Sequence, residues 1–560
     1  MKKSINLILT AVFAFLIASS AQASNIQIPK EPTIAAAGAG LKLVTFDLTW
    51  EFSWRSSQLR NYDAAWVFVK YRVGMDEWDH MYLDGDYNPA TAMNDNGTKM
   101  AYQYGQSNGK NVGVFLYREA NGQGDINWTG ITLRWNYSAP NTYSSRANLV
   151  AEDDVIVRVF AVEMVFVPEG AFYLGDGQGD AAMGKFCKAD ELNNIIVPFR
   201  VESEGAIGIG LRPATEGEIS GVAGRLSATS NSIDPTGSGL GLDGDGAIPA
   251  PFPKGFKAMY VMKYEITQSA YTDFLNTLTV AQQTNRIRVP NNSGVNTLAF
   301  RARLATDGVT AVADRNFIKI KTPGVIEFAM DANVNNVYDE LGDGHGVACA
   351  MGKQDLLAYL DWSGLRPITE LEYEKISRGP MAAVPGEYVW GNTYSVPTTG
   401  TATGITAATA GFVTNWGQPS EVVNAPVNVN NNNNKGLNFT TRNGAFATPT
   451  SDRIKAGATY WGVMEMGSNL AEAVVNMSTL EGRAYSGLHG DGRLDLNGEI
   501  DVQQWPEDNG MGHRGGNIAL NADPGVVLSN VTMSDRRWSQ NNWGHFYWTG
   551  GRGGRTVGGN

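Results

Sequence analysis

The chain has 560 residues, 42% of them hydrophobic and 18% charged, with a formal net charge of −12. That hydrophobic share excludes wholesale disorder, and the acidic balance excludes a broad nucleic-acid surface, which needs clustered Lys and Arg. Five His and two Cys leave few ligands for zinc, haem or an iron–sulfur cluster, while 65 Gly and 22 Pro point to a loop-rich β protein rather than a helical bundle.

Met1-Lys2-Lys3, an apolar stretch from Ile5 to Ile17 and Ala21-Gln22-Ala23 make a positive n-region, a short h-region and a small-x-small cleavage site. Residues 1–23 read as a secretory signal peptide, so the mature chain is expected in a periplasm, outside the cell or at the cell surface. No later run supplies the roughly 20 apolar residues that span a bilayer. Residues 24–40 read as a linker. From Leu41 the pattern becomes period two: Phe46, Leu48, Trp50, Phe52 and Trp54 share one face of an extended strand. Trp66 and Phe68, then Ile131, Leu133, Trp135 and Tyr137, then Val155, Val157 and Val159 repeat the signal. An antiparallel β-sandwich over 41–162 is the expectation, its rings filling the core rather than stacking on glycans.

After Val162 the texture is mixed, which makes the whole chain α+β. Ile266 to Leu278 reads as a helix with Thr267 at its N-cap. A second helix is expected from Thr369 to Arg378, where Thr369-Glu-Leu-Glu372 forms a capping box. Segments 203–250 and 280–350 and the run Asn430–Asn434 read as surface insertions. Cys187 and Cys349 either form one disulfide or remain two buried thiols, since spacing gives no distance between them.

Calcium is the expected cofactor. Asp331, Asn333, Asn335, Val337 and Asp339 place oxygen ligands on alternate positions of one loop, with Val337 offering its carbonyl. Asn336 stands where such loops carry Gly, and Gly342 where they carry a bidentate Glu; an Asn-rich turn that binds nothing fits the same residues. Asp491 to Asp501 is a further oxygen-rich loop, read as solvated. Near the end, Arg536, Trp538, Asn541, Asn542, Trp543, His545, Tyr547 and Trp548 gather rings, amides and Arg into one run. Such a mixture suits a binding surface for a glycan or a cell-surface protein, or equally a set of core plugs.

Several blocks in order resemble the formylglycine-generating enzyme (sulfatase-modifying factor) domain. They are Glu163 to Gly175, Tyr264-Glu-Ile-Thr-Gln268, Arg366-Pro-Ile-Thr-Glu-Leu-Glu-Tyr-Glu374 with Arg378-Gly379, Tyr460 to Glu472, Arg514-Gly-Gly516, and Gly550 to Arg555. The resemblance covers about 163–557 and implies a loop-rich, C-type-lectin-like domain over 163–560. It also implies a second calcium site at Asn469 and Glu472, although Ser468, Ala471 and Ala473 depart from the pattern. Members that generate formylglycine use two cysteines soon after Arg-Gly-Gly to hold copper; between Asn517 and Arg537 this chain has none. Iron-dependent relatives need a histidine cluster, whereas these histidines are scattered, so copper and iron are not expected. The reading is an exported, non-catalytic binding or structural protein; the alternative is a metal-dependent oxidoreductase with a rearranged site.

Overall fold

In this computed structural model the structure describes residues 26–89, 97–138, 154–178, 183–188, 197–209, 225–228, 246–299, 316–323, 327–331, 335–338, 346–393, 413–414, 422–423, 440–447, 451–467, 469–518, 531–540, 544–546 and 548–558. The signal segment 1–23 and the run Asn430–Asn434 lie outside them. The architecture is α+β, strand-rich and mostly antiparallel with short helices.

The first eight strands are β1 (Thr33–Gly38), β2 (Leu41–Arg55), β3 (Asp63–Val73), β4 (Asp79–His80), β5 (Met100–Ser107), β6 (Lys110–Arg118), β7 (Gly122–Asn136) and β8 (Val155–Val167), with period-two burial clearest in β2 and β7. Further along come β9 (Met259–Met262), β10 (Arg366–Pro367), β11 (Ala471–Val475), β12 (Met511–Arg514), β13 (Thr549–Gly550) and β14 (Gly553–Thr556). Strands β1, β2 and β7 form a three-stranded sheet. A larger sheet runs β10-β14-β9-β8-β3-β6-β5, with β4 attached to β3. Strand β8 passes through residues 162 and 163 unbroken. It pairs with β3 from Val73↔Val155 to Asp63↔Val165, and with β9 from Met262↔Met164 to Met259↔Val167. The segments on either side of residue 162 therefore share one sheet.

The large sheet is buried on both faces. Ala65, Val67, Val69 and Tyr71 of β3 pack with Val44, Phe46, Leu48 and Trp50 of β2 and with Ile131, Leu133 and Trp135 of β7. The alternate residues Ala64, Trp66 and Phe68 face helices α1 (Gln268–Leu275) and α3 (Lys353–Trp362) through Phe274, Leu357, Leu360 and Trp362. Between the two helices in sequence lies α2 (Val280–Arg286). Burial on both faces explains why β3 reads Asp-Ala-Ala-Trp-Val-Phe-Val, an almost continuous apolar run.

One strand departs from the expected alternation. Between Trp50 and Ser53 the register slips, because β2 advances three residues while β7 advances two, from Ile126 to Gly124. This bulge exchanges the faces of β2 beyond it. Phe52, expected in the core, is 48% exposed with φ +54°, and Ser53 takes the inward position. Trp54 consequently points away from the core that Trp50 joins. Asp63 fixes the switch: its carboxylate accepts from Trp50 Nε1 (2.8 Å), Ser53 Oγ (2.8 Å) and the Trp54 amide (3.0 Å).

The helices begin where their caps require. Thr267 Oγ1 accepts from the Ala270 amide at the start of α1. Helix α4 (Glu370–Arg378) opens with the expected reciprocal pair: Thr369 Oγ1 accepts from the Glu372 amide (3.1 Å) and the Thr369 amide donates to Glu372 Oε2 (2.9 Å). Parts of segment 203–250 are more than surface loop. Ile207–Ile209, Leu226–Ala228 and Gly246–Ile248 join Phe186–Lys188 in a small sheet that buries Ile209, Leu226 and Ile248.

Candidate functional site

Helix α4 buries its charged residues rather than showing them. Arg366 grips Glu372 through two nitrogens (2.9 and 2.6 Å), and Arg378 reaches Glu387 (2.5 Å) and Glu374 (3.0 Å). Arg514 of β12 donates to Glu374 (3.0 Å) and to the Met533 carbonyl (2.8 Å). Arg536, expected on the binding surface, is wholly buried. Its guanidinium holds Glu370 at 2.7 and 3.0 Å and donates to Gly184 O and Ser478 Oγ. The physical reason is charge: Glu370 and Glu374 enter the core on α4 and need cationic partners there.

Around Arg536 the C-terminal run divides. Trp538 is half-buried and its carbonyl accepts from the His513 amide. The rings of Phe546 and Trp548 stack with centroids 4.6 Å apart. His545 Nδ1 lies 2.9 Å from Asp355 Oδ2, with Arg288 beside it. Burial alone would raise the Asp355 carboxyl, but the hydrogen bond and charge of His545, with Arg286 and Arg288, hold it at about 2. Asn541, Asn542, Trp543 and Tyr547 lie outside the described residues.

The calcium candidates meet internal partners. Asp331 is buried, lies 2.5 Å from the Lys319 ammonium and accepts from the amides of Asn335 and Asn336. Asn335 Oδ1 accepts from the Val337 amide, so its side chain closes a turn at this point. Asn333 and Asp339 lie outside the described residues. Asn469, at φ +67°, accepts from the Thr441 amide and donates to Glu265 Oε2 (2.6 Å). Glu472 is held by Arg552 through two bonds of 2.6 and 2.8 Å. Burial raises Glu265, Glu465 and Glu472, Glu465 to about 7.

A group that sequence reading passed over comes together elsewhere. Asp361 at the end of α3 meets Asp491 and Asp501, with one oxygen of each carboxylate within 4.8 Å of the others. Asp361 accepts from the Asp491 and Asp501 amides, both at 3.2 Å. Burial and the two neighbouring charges raise Asp361, and burial with the Asp491 charge pushes Asp501 up to about 6. Three hard oxygen donors of this kind could hold a divalent cation. No local spacing announces the group, because Asp361 sits on a helix far from the loop it meets; only the acid-rich stretch 491–501 is visible in the sequence.

Sulfur and imidazole do not converge among the described residues. Cys187 and Cys349 are buried and form no disulfide with each other, and burial raises the Cys349 thiol well above its usual range. His80, His489 and His513 are buried and held neutral, each by desolvation first. Among the described residues no helix is long and apolar enough to cross a membrane. Comparison with family models, curated proteins and solved structures finds no match to this chain.

Proposed function

We propose that this chain is an exported binding or structural protein, built from a β-sandwich and a domain resembling the formylglycine-generating enzyme, with calcium as a stabilising ion. The observation that carries the reading is the inward closure of the resembling blocks. Arg366, Arg378, Arg514 and Arg552 all end in buried carboxylates, so these side chains hold the domain together. The segment where the resemblance implies a copper-binding cysteine pair carries no cysteine. A carboxylate-rich, thiol-poor molecule suits a hard cation and a binding role.

The test is metal analysis of the purified full chain, together with its melting temperature with and without a calcium chelator. Retained calcium and a lower melting temperature in chelator support the proposal. Asp501→Asn should then reduce the chelator effect if the acidic triad holds the ion, and leave it intact if Asp331 or Asn469 does. Retained copper or iron, or a melting temperature indifferent to chelator, would overturn the calcium reading, the former in favour of an oxidoreductase.

A further inference from the structure

His545 sits where three distant segments meet. Asp355, in the first turn of α3, turns Oδ1 toward Arg286 of α2 (3.1 Å) and Oδ2 toward His545 Nδ1 (2.9 Å). Just past α2, Arg288 Nη2 lies 2.7 Å from the same ring nitrogen and 3.5 Å from Asp355 Oδ2. Glu499 pairs with Arg286, while Tyr271 of α1 and Cys349 feel the Asp355 charge. The side chains of Asp355 and His545 are 4% and 8% exposed, whereas that of Arg288 is 45% exposed. Arg288 is therefore the member of the group with room to move.

One ring nitrogen cannot satisfy both neighbours. A bare Nδ1 only accepts a hydrogen bond, and a protonated Nδ1 only donates one. The guanidinium in turn only donates, and an ionised carboxylate only accepts. With Nδ1 bare, Arg288 is bonded and the ring lone pair faces Asp355. With Nδ1 protonated, Asp355 is bonded and two N–H groups oppose each other at Arg288. Each state of the ring keeps one contact and opens the other. Asp355 has Arg286 and the Gly352 amide (3.3 Å) in both states, so the neutral ring is free to serve Arg288.

The surrounding groups hold their charges while the ring changes. Asp355, held at about 2, stays ionised, and burial keeps the Tyr271 hydroxyl and the Cys349 thiol protonated. Arg286 and Arg288 do not lose their protons. Imidazole is the side chain whose ordinary ionisation falls between about pH 5 and 8. We infer that His545 is a proton-operated latch for Arg288: the neutral ring accepts from Arg288 through Nδ1, and the imidazolium gives that nitrogen to Asp355 and releases Arg288 to solvent. Acid thus presents a free guanidinium beside His545, whatever the chain binds.

The test is nitrogen NMR of the full chain labelled in histidine, with His545 assigned by the loss of its signals in His545→Phe. Nδ1 should have the shift of a bare nitrogen at about pH 8.5 and of a protonated one at about pH 5. In Arg288→Ala the neutral ring should move its hydrogen to Nδ1, because the competing donor is gone. Urea denaturation of His545→Phe, Arg288→Ala and the double variant gives the coupling between the two residues. It should favour the fold by about fivefold in the unfolding constant at high pH and vanish at low pH. The native-chain spectra carry the test if a variant does not fold. A protonated Nδ1 at the higher pH, or a coupling equal at both, overturns the inference.

Discussion

Phe52 occupies a backbone conformation that β-carbon sterics disfavour in all residues but glycine, at a cost of roughly 1–3 kcal/mol. About half of the residue is in solvent, so packing offsets only part of the strain. Phe52→Gly should therefore stabilise the protein, by up to about 1 kcal/mol in urea denaturation, without altering the pairing of β2 with β7. Asp355 is the opposite case, a residue whose charge is sheltered. Its folded-state value of about 2 lies below the ordinary 3.8, so its contribution is present above pH 4 and is lost as pH falls toward 2. Asp355→Asn should cost about 2 kcal/mol at pH 7, and the gap from the native chain should close across that acid window. The reason Phe52 misleads a reader of the sequence is that alternation alone cannot show a bulge. The slip is decided by where Ser53 meets Gly124 and by the pull of Asp63.

Elements with a local cause are the ones the sequence makes plain. The capping box of α4 needs only Thr369 and Glu372 three residues apart, and both hydrogen bonds form. Thr369→Ala should lower stability by about 1–2 kcal/mol, measured by chemical denaturation, since it removes one cap bond and the bond to the Pro253 carbonyl. The inward face of α4 was less legible. Glu370 and Glu374 look like solvent-facing residues of a charged helix until Arg514 and Arg536 are placed beside them from far along the chain. Glu370→Gln should be more damaging than an ordinary surface change, by about 3–5 kcal/mol, because it leaves Arg536 buried without its counter-charge. The acidic triad escaped sequence reading for the same reason: its members belong to a helix and a distant loop, joined only by the fold.

At the scale of the molecule, the large sheet joins regions that composition separates. A fragment ending at residue 162 would keep β3 and most of β8 but lose the helices that cover Trp66, Phe68 and Phe160. Expressed alone, residues 26–162 should fail to give a folded monomer, recognisable by aggregation in size-exclusion chromatography and broad amide resonances. The intact chain should melt in a single transition, because β8 belongs to both sides.

Strand β14 has an additional consequence for the timing of folding. It lies inside the large sheet, between β10 and β9, although it is made from residues 553–556. Arg555 extends from it across the Trp66 ring to the carbonyls of Gly364 and Gln106, tying together segments from three distant parts of the chain. A ribosome must therefore release residues 553–556 before the central sheet can close. Non-local pairing of this kind makes folding slow. The nascent chain stays open until β14 is available, a useful property for any polypeptide that must be moved before it is folded.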